Sequence, residues 1–586
     1  MKTHAPPGLR PALRATWREG LSIRSVSRDA LAGLTVAVIA LPLAMALGIA
    51  SIPREVADAL ARDVGPWCTP PAIGLFTAVV GGFLISVLGG SRVQVGGPTA
   101  AFIPIVFTIA HEFGYQGLAV ATLLAGLIVI LMGVFRFGSL IKFIPYPVVT
   151  GFTAGIAVSI AVSQVRDFLG LPIASLPAEF VPRVQALAAA VPAADTATWL
   201  VGVGSLAVLI AMRRVVPKVP GAIVAVILAA GAVTMFHLDK AHGGSVETIG
   251  SRFGGIPSML PTPHTPAIDL ATLPKLLAPA LTIALLCGIE SLLSAVVADG
   301  MTGHRHDPDQ ELVAQGVANV ASVFFLGLPA TGAIARTVAN IKAGGRTPLA
   351  GAFHAVFLLL CMMALAPLAK LIPLAALAAV LLVVAWNISE VDHFRALLRA
   401  PKADVVVLLA TFVLTVVTDL TIGVGVGLVL ASLLFMKRMA EVTGVAGLRT
   451  VPAEGEADEE PIDPKDPARL FDRAIPPGVE VFEITGPFFF GVADSLKDIL
   501  NQFERPPKVF ILRMRAVPHV DATGLHALDE FLHKCRRQGT TLLLGGVHAQ
   551  PLFEFVKVGF DAKVGLENIF DNLDDALARA REIIKA

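Results

Sequence analysis

The chain has 586 residues, of which 55% are hydrophobic and only 16% charged, with a net charge of +1 and a mean hydropathy of +0.74. A soluble globular protein carries about 25% charged residues, so this composition excludes an ordinary soluble domain and points to membrane. The near-zero charge supplies no basic face for nucleic acid. The four cysteines, Cys68, Cys287, Cys361 and Cys535, have no paired spacing, so neither a disulfide framework nor a zinc site is expected, and no metal or cofactor is called for.

The polar, basic start "MKTHAPPGLRPALRATWREG" lacks an apolar core followed by a cleavage site, and residues 1–30 are read as a cytoplasmic segment. Apolar runs of about membrane-spanning length, near 20 residues, then recur through a transport domain over 31–439. Fourteen are placed, at 31–49, 72–88, 98–112, 117–136, 146–165, 198–213, 218–237, 276–298, 311–327, 334–343, 350–370, 372–388, 403–418 and 421–439. The loops on the side of the N-terminus carry Arg136/Lys142, Arg213/Arg214/Lys218, Arg305, Lys342/Arg346 and Arg395/Arg399/Lys402. The opposite loops are balanced or acidic, so both termini are expected in the cytoplasm.

After Met439 the character changes. Residues 440–477 include the acidic, Pro-rich "PAEGEADEEPIDPKDPAR" (452–469) and read as a linker. From 478 to 586 the pattern is a small α/β domain: "VEVFEIT", "KVFILRM" and "TTLLLGG" read as strands, "SLKDILNQF", "GLHALDEFLHKCRRQ" and "PLFEFVKVG" as helices.

Two spans are short and open at Gly/Pro-rich breaks, "GGSRVQVGGPTAAF" and "LPATGAIARTV". They are spans three and ten, the third of each set of seven. Interrupted segments at corresponding positions of two halves mark a transporter's binding site near the bilayer midplane. A helix that begins inside the membrane leaves its first N–H groups without intrahelical partners, and its positive dipole end favours an anion. Thr99-Ala100-Ala101 and Ala333-Ile334-Ala335-Arg336-Thr337 would therefore face each other as a cationic pocket made largely of backbone, with Arg336 adding a charge at one rim. An ordinary loop with a snorkelling arginine is the plainer alternative.

Glu290, in "LTIALLCGIESLLSAVV", reads as the only carboxylate well inside a predicted span. It is either part of a proton path or a structural hydrogen-bond partner of the unwound backbone of span ten. Gln315 and Asn319 share one helical face and read as interhelical glue. His354 and Asp419 are taken as structural, and "GVGVG" (423–427) as small-residue packing rather than a phosphate loop. No nucleophile, base and acid set supports an enzyme.

The segments "GGSRVQVGGPTAAF", "GIESLLSAVVADGMTGHRHDPDQELVAQGVANV" and "LPATGAIARTVANIKAGGRTP", with "IALPLAMALGIA", "LLVVAWNISE" and "VGLVLASLLFMKRMA", resemble the sulfate permease (SulP) family of anion transporters over nearly the whole membrane part. Within that family the likeness is nearest to bacterial members that carry dicarboxylates such as succinate and aspartate. The tail resembles the family's STAS domain. There "DATGLHAL" (521–528) places Thr523 at the phospho-acceptor position of anti-sigma-factor antagonists, although a helix N-cap is the favoured reading of that residue.

The resemblance implies a polytopic α-helical fold of two inverted seven-span repeats. A core domain (spans one to four and eight to eleven) would move against a gate domain (five to seven and twelve to fourteen). It further implies a homodimer, a bacterial inner-membrane location, a cytosolic regulator at the STAS domain, and cation coupling at Glu290. Many relatives have Pro-Gln in span one where this chain has Pro42-Leu43, and several have serine where it has Ala335. Both departures give a roomier, more apolar pocket. The expectation is secondary active transport of small anions, read as proton symport of C4-dicarboxylates (succinate, fumarate, aspartate). Bicarbonate or sulfate transport, with sodium coupling or exchange, stands as the alternative, and an anion channel or a membrane sensor as the different-class one.

Overall fold

The computed structural model describes residues 10–139, 144–216, 219–240, 243–259, 263–267, 269, 271–418, 420–442, 444–448, 450–451, 473–489 and 506–585. Lys142, Lys218, Asp419, the acidic run 452–469 and "SLKDILNQF" lie outside these residues. The chain divides into two compact units, Met1–Val429 and Leu430–Ala586.

The first unit is helical. In chain order it holds α1 (Ala12–Glu19), α2 (Ile23–Ser51), α3 (Arg54–Asp63), α4 (Pro70–Phe76), a wider turn Thr77–Gly81 continuing into α5 (Gly82–Leu88), the short strand β1 (Gly96–Gly97) and α6 (Ile103–Val134). Then come α7 (Tyr146–Leu169), α8 (Phe180–Ala190), α9 (Thr196–Val215), α10 (Gly221–Met235), α11 (Ile249–Phe253), α12 (Leu273–Thr302) and α13 (Pro308–Phe324). The strand β2 (Thr331–Gly332) precedes α14 (Ile334–Lys342), α15 (Pro348–Ala369), α16 (Leu374–Ile388), α17 (Val391–Leu397) and α18 (Lys402–Val417); the division between the units falls within the next helix, α19 (Leu420–Val442).

Each of the fourteen apolar segments falls on a helix. The third and fourth share α6, which breaks at Gly114 (φ 67°, ψ −175°), a conformation open to glycine. Among the described residues, nine helices are long and apolar enough to cross a membrane.

The helices pack in two groups. One joins α2, α4, α5, α6, α12, α13, α14 and α15; the other joins α7, α9, α10, α16 and α18. Close approach inside the first group relies on small residues, as expected where apolar lipid leaves packing to hold helices together. A Cβ on Gly316 would lie 2.5 Å from the Gly126 carbonyl oxygen, and one on Gly126 would lie 2.9 Å from that of Gly316, so α6 and α13 cross with backbones in contact. In "GVGVG", a Cβ on Gly423 or Gly427 would each lie 2.2 Å from a threonine hydroxyl of α18, Thr415 and Thr411, which is the packing role the sequence suggests.

The second unit is a five-stranded mixed sheet of β3 (Gly444–Leu448), β6 (Val479–Thr485), β7 (Val509–Ala516), β8 (Thr541–Gly545) and β9 (Ile569–Phe570), in that order. A separate pair, β4 (Thr450–Val451) with β5 (Arg473–Ala474), lies beside it in sequence. β3 runs antiparallel to β6 and the other neighbours are parallel. The edge strand β3 thus falls within the stretch read as linker, because its Gly- and Ala-rich sequence carries little strand signal.

The central strand β7 is apolar on both faces, as a covered parallel strand requires. Phe510, Leu512 and Met514 pack with Leu528 and Phe531 of the helix Ala522–Arg537, while Val509 and Ile511 pack with Leu573 and Leu577 of the helix Leu573–Lys585. Burying each such side chain contributes about 1.5–3 kcal/mol.

Candidate anion site between two broken helices

Two chain breaks meet inside the first unit and are hydrogen-bonded to each other. β1 pairs antiparallel with β2, Gly96 opposite Gly332 and Gly97 opposite Thr331, and the Ala333 N–H donates to the Val95 carbonyl at 2.9 Å. Non-helical backbone is tolerated at membrane depth only where its polar groups find partners in protein or line an aqueous cavity. Here the partners come largely from side chains of the surrounding helices. The Asn319 amide brackets Ala330, Nδ2 donating to its carbonyl at 2.7 Å and Oδ1 accepting from its N–H at 2.9 Å. The Leu328 N–H donates to Thr77 at 2.6 Å, and Ser322 donates to the Leu328 carbonyl at 2.8 Å. Thr331 donates to the Cys287 carbonyl at 2.9 Å, and Gln94 donates to Ser291 Oγ at 2.9 Å.

From this ladder the two helices run apart. Thr99 is extended, Ala100–Phe102 form one tight turn, and α6 follows. Ala333 is the N-cap of α14, with Ile334, Ala335 and Arg336 in its first turn. The N–H groups of Ala100, Ala101, Ile334, Ala335 and Arg336 therefore sit in first turns, where no intrahelical acceptor exists. Ala100, Ala101 and Ala333 are buried, Thr99 and Leu43 half-buried, and Ile334 (42%) and Ala335 exposed.

Arg336 lies behind the ladder rather than at a rim, with 2% of its surface exposed. Its Nη2 donates to the Pro98 carbonyl at 3.0 Å and its Nη1 reaches the Gly96 carbonyl at 3.4 Å. The guanidinium of the second break thus holds the backbone of the first. Gly97 permits this: at φ 142°, its Cβ would sit 2.4 Å from Nη1. Among the described residues no carboxylate pairs with Arg336, and its Nε has no partner. Thr337, one residue on, accepts from the Val95 N–H at 3.1 Å and from Ser294 at 3.2 Å.

Glu290, half-buried on α12, accepts from Thr99 Oγ1 at 2.7 Å. It is thus tied to the first break, whereas the sequence suggested the second. Nor is it alone: Glu311, fully buried on α13, accepts the N–H groups of Gly90 (2.9 Å) and Ser91 (3.0 Å) and the Gln315 amide (2.9 Å). That carboxylate caps the chain leading into the first break, and at the edge of its span it is easily read as a solvent charge. Asn340, also unremarked in the sequence, donates to the Val93 carbonyl at 2.8 Å; its position four residues after Arg336, on the same helical face, is the signal that could have found it. Asp29 is a further buried anchor, accepting from Thr347 Oγ1 at 2.6 Å and from the Arg346 N–H at 2.8 Å.

His354 is fully buried on α15, and neither ring nitrogen has a partner among the described residues. One other expectation changes. The N-cap of the helix Ala522–Arg537 is Asp521, which accepts from the Gly524 N–H at 2.7 Å; Thr523 sits within the first turn with its side chain exposed. No group of three or more metal-type side chains occurs among the described residues.

A helical unit with two paired mid-chain helix starts is thus followed by a small mixed α/β unit. The chain belongs to the sulfate permease family, whose profile matches residues 26–411, and a STAS domain matches residues 471–576. It is 38% identical, over 95% of its length and 98% of the other, to the Bacillus subtilis (strain 168) protein named "Putative sulfate transporter YvdB". It is 29% identical, over 96% and 95%, to the bicarbonate transporter BicA of Synechocystis. The solved transmembrane domain of a cyanobacterial BicA superposes with a TM-score of 0.60 at 30% identity, covering 69% of this chain and 99% of that one. Murine Slc26a9 in its inward-facing state superposes with a TM-score of 0.83 at 19% identity, covering 99% and 96%, a likeness of fold. The chain is therefore a membrane anion transporter of this family and not an enzyme.

Proposed function

We propose that the chain is a secondary active transporter of small organic anions, carrying C4-dicarboxylates such as succinate, fumarate and aspartate by proton symport. The observation that carries this reading is the pairing of a buried guanidinium, Arg336, that has no carboxylate partner among the described residues, with a carboxylate, Glu290, hydrogen-bonded to the opposite helix start. A buried cation without a counter-charge is costly, and an anion against the first-turn N–H groups of Ala100, Ala101, Ile334, Ala335 and Arg336 relieves that cost. Thr99, Ala333 and Thr337 fix the two helix starts.

Coupling follows from charge. With Glu290 ionised the site is near neutral; with Glu290 protonated it is net positive and attracts an anion more strongly. Proton and anion then promote each other's binding by the same factor. Leu43 and Ala335 leave the walls apolar, which suits a carbon chain.

Bicarbonate or sulfate transport is the second reading, favoured by the names of the relatives, and sodium in place of the proton at Glu290 is its natural companion. A channel or a sensor signalling through the STAS domain has less support, since neither requires a charge-coupled site. The proposal includes a homodimer in a bacterial inner membrane with both termini cytoplasmic, and an exposed Thr523 as the residue a cytosolic regulator would meet. Proteoliposome uptake of labelled succinate, fumarate, aspartate, sulfate and bicarbonate under imposed proton or sodium gradients tests it. Accumulation of a C4-diacid driven by the proton gradient is expected; uptake of sulfate or bicarbonate alone would refute the substrate assignment.

A further inference from the structure

A cavity of about 360 Å³ lies along the first turns of α6 and is walled by both helix groups. Pro104, Ile105 and Ile109 of α6 and Ala278 of α12 form one side; Ile156 and Ser159 of α7 form the other, closed by α8 and α18. Its lining is mostly apolar, with one built polar corner. Arg183 of α8 is buried there, 7% exposed. Nε donates to the Pro177 carbonyl at 2.8 Å and Nη2 to the Ala178 carbonyl at 2.6 Å, and the guanidinium stands 5.1 Å from the Phe107 ring centroid.

These contacts fix the group in place and leave Nη1 without an acceptor among the described residues. Glu112, exposed at the same cavity, is not within 4 Å of it, and the Ser159 hydroxyl on the facing wall has no partner there either. Arg183 Nη1 and the Ser159 hydroxyl therefore meet a mostly apolar chamber with no partner among the described residues.

We propose that this cavity binds an amphipathic monoanion, its head on Arg183 Nη1 and Ser159 and its apolar body between Ile105, Ile109 and Ile156. A preorganised arginine favours an oxyanion head, carboxylate or phosphodiester. Glu112 near the mouth disfavours a second negative charge, which separates this ligand from a dicarboxylate or sulfate. The head chemistry is shared by a fatty carboxylate and by the phosphodiester of a bilayer lipid. Because the walls belong to two helix groups, a bound body holds them together, and occupancy should slow transport. The inference does not depend on which anion is carried.

The test uses the full chain carrying a Phe180→Trp reporter at the cavity wall. Quenching by bromodecanoate is titrated in detergent, and quenching by brominated phosphatidylglycerol is read in nanodiscs. Saturable quenching by either probe supports the site, bromodecanoate alone marking a soluble amphiphile and the lipid alone marking a bilayer source. Arg183→Gln should weaken binding by at least about tenfold, the scale of one lost charged contact. Ala278→Phe, which fills the chamber without touching Arg183, should abolish it and serves where Arg183→Gln does not fold. Absence of saturable quenching by both probes, or unchanged affinity in a folded Ala278→Phe variant, would overturn the proposal.

Discussion

Arg336 Nη2 donates to the Pro98 carbonyl at 3.0 Å, so the cation of one broken helix is anchored on the backbone of the other. This bond couples two segments that are 238 residues apart. Any shift of one helix start is felt by the charge that serves both.

Gly97 is the position through which that coupling can be tuned. Gly97→Ala places a methyl 2.4 Å from Nη1, and φ 142° is unfavourable for alanine. The variant is expected to displace the guanidinium and weaken anion binding by at least about tenfold, roughly one charged hydrogen bond. Equilibrium binding to purified protein checks this, with thermal unfolding showing that the fold is retained.

Glu290→Gln keeps a side chain able to bond Thr99 but cannot exchange a proton. Uptake by this variant is expected to lose its dependence on the imposed pH gradient while downhill exchange of labelled anion persists. Proton-driven accumulation by Glu290→Gln would place coupling elsewhere.

Asn319 holds both polar groups of Ala330. Asn319→Leu leaves the buried Ala330 N–H unpaired, at about 1–3 kcal/mol, and its carbonyl with only the weak Cys287 thiol donor at 3.4 Å, and is expected to lower the unfolding temperature measurably in detergent. An unchanged melting curve would mean that water or a shifted backbone replaces the amide.

In the second unit, Cys535 packs beneath the sheet, and burial pushes its thiol up to about 12. At pH 8 only about one thiol in ten thousand is ionised, and the thiolate is the reactive form. Maleimide labelling of the folded unit at that pH is therefore expected to be negligible at Cys535 and prompt after denaturation, as read by peptide mass spectrometry.

Much of this arrangement is legible in the sequence for a physical reason. A Gly/Pro break inside an apolar run signals a helix start wherever it falls, so the corresponding breaks at Gly96–Pro98 and Pro329–Gly332 identify the segments that pair. The strands of the second unit show equally, because a covered strand such as "VFILRM" is a continuous apolar run. What is not legible depends on pairing across the chain. Arg336 looks like a rim charge until Pro98 is found beside it. Glu311 looks like a solvated end until Gly90 and Ser91 are placed against it, and Asn319 shows its polarity in the sequence but not its partner, Ala330. The edge strand Gly444–Leu448 is set by its neighbour β6 rather than by its own weak propensity.

The central claim is that the two helix starts and Arg336 form the anion site. Its most direct test is proteoliposome uptake by Arg336→Gln beside the unaltered chain, with matched incorporation and melting temperature. The account predicts that uptake of the transported anion falls by at least about a hundredfold, the scale of losing a buried charge from a binding site. Uptake with unchanged affinity and rate in the folded variant would contradict it.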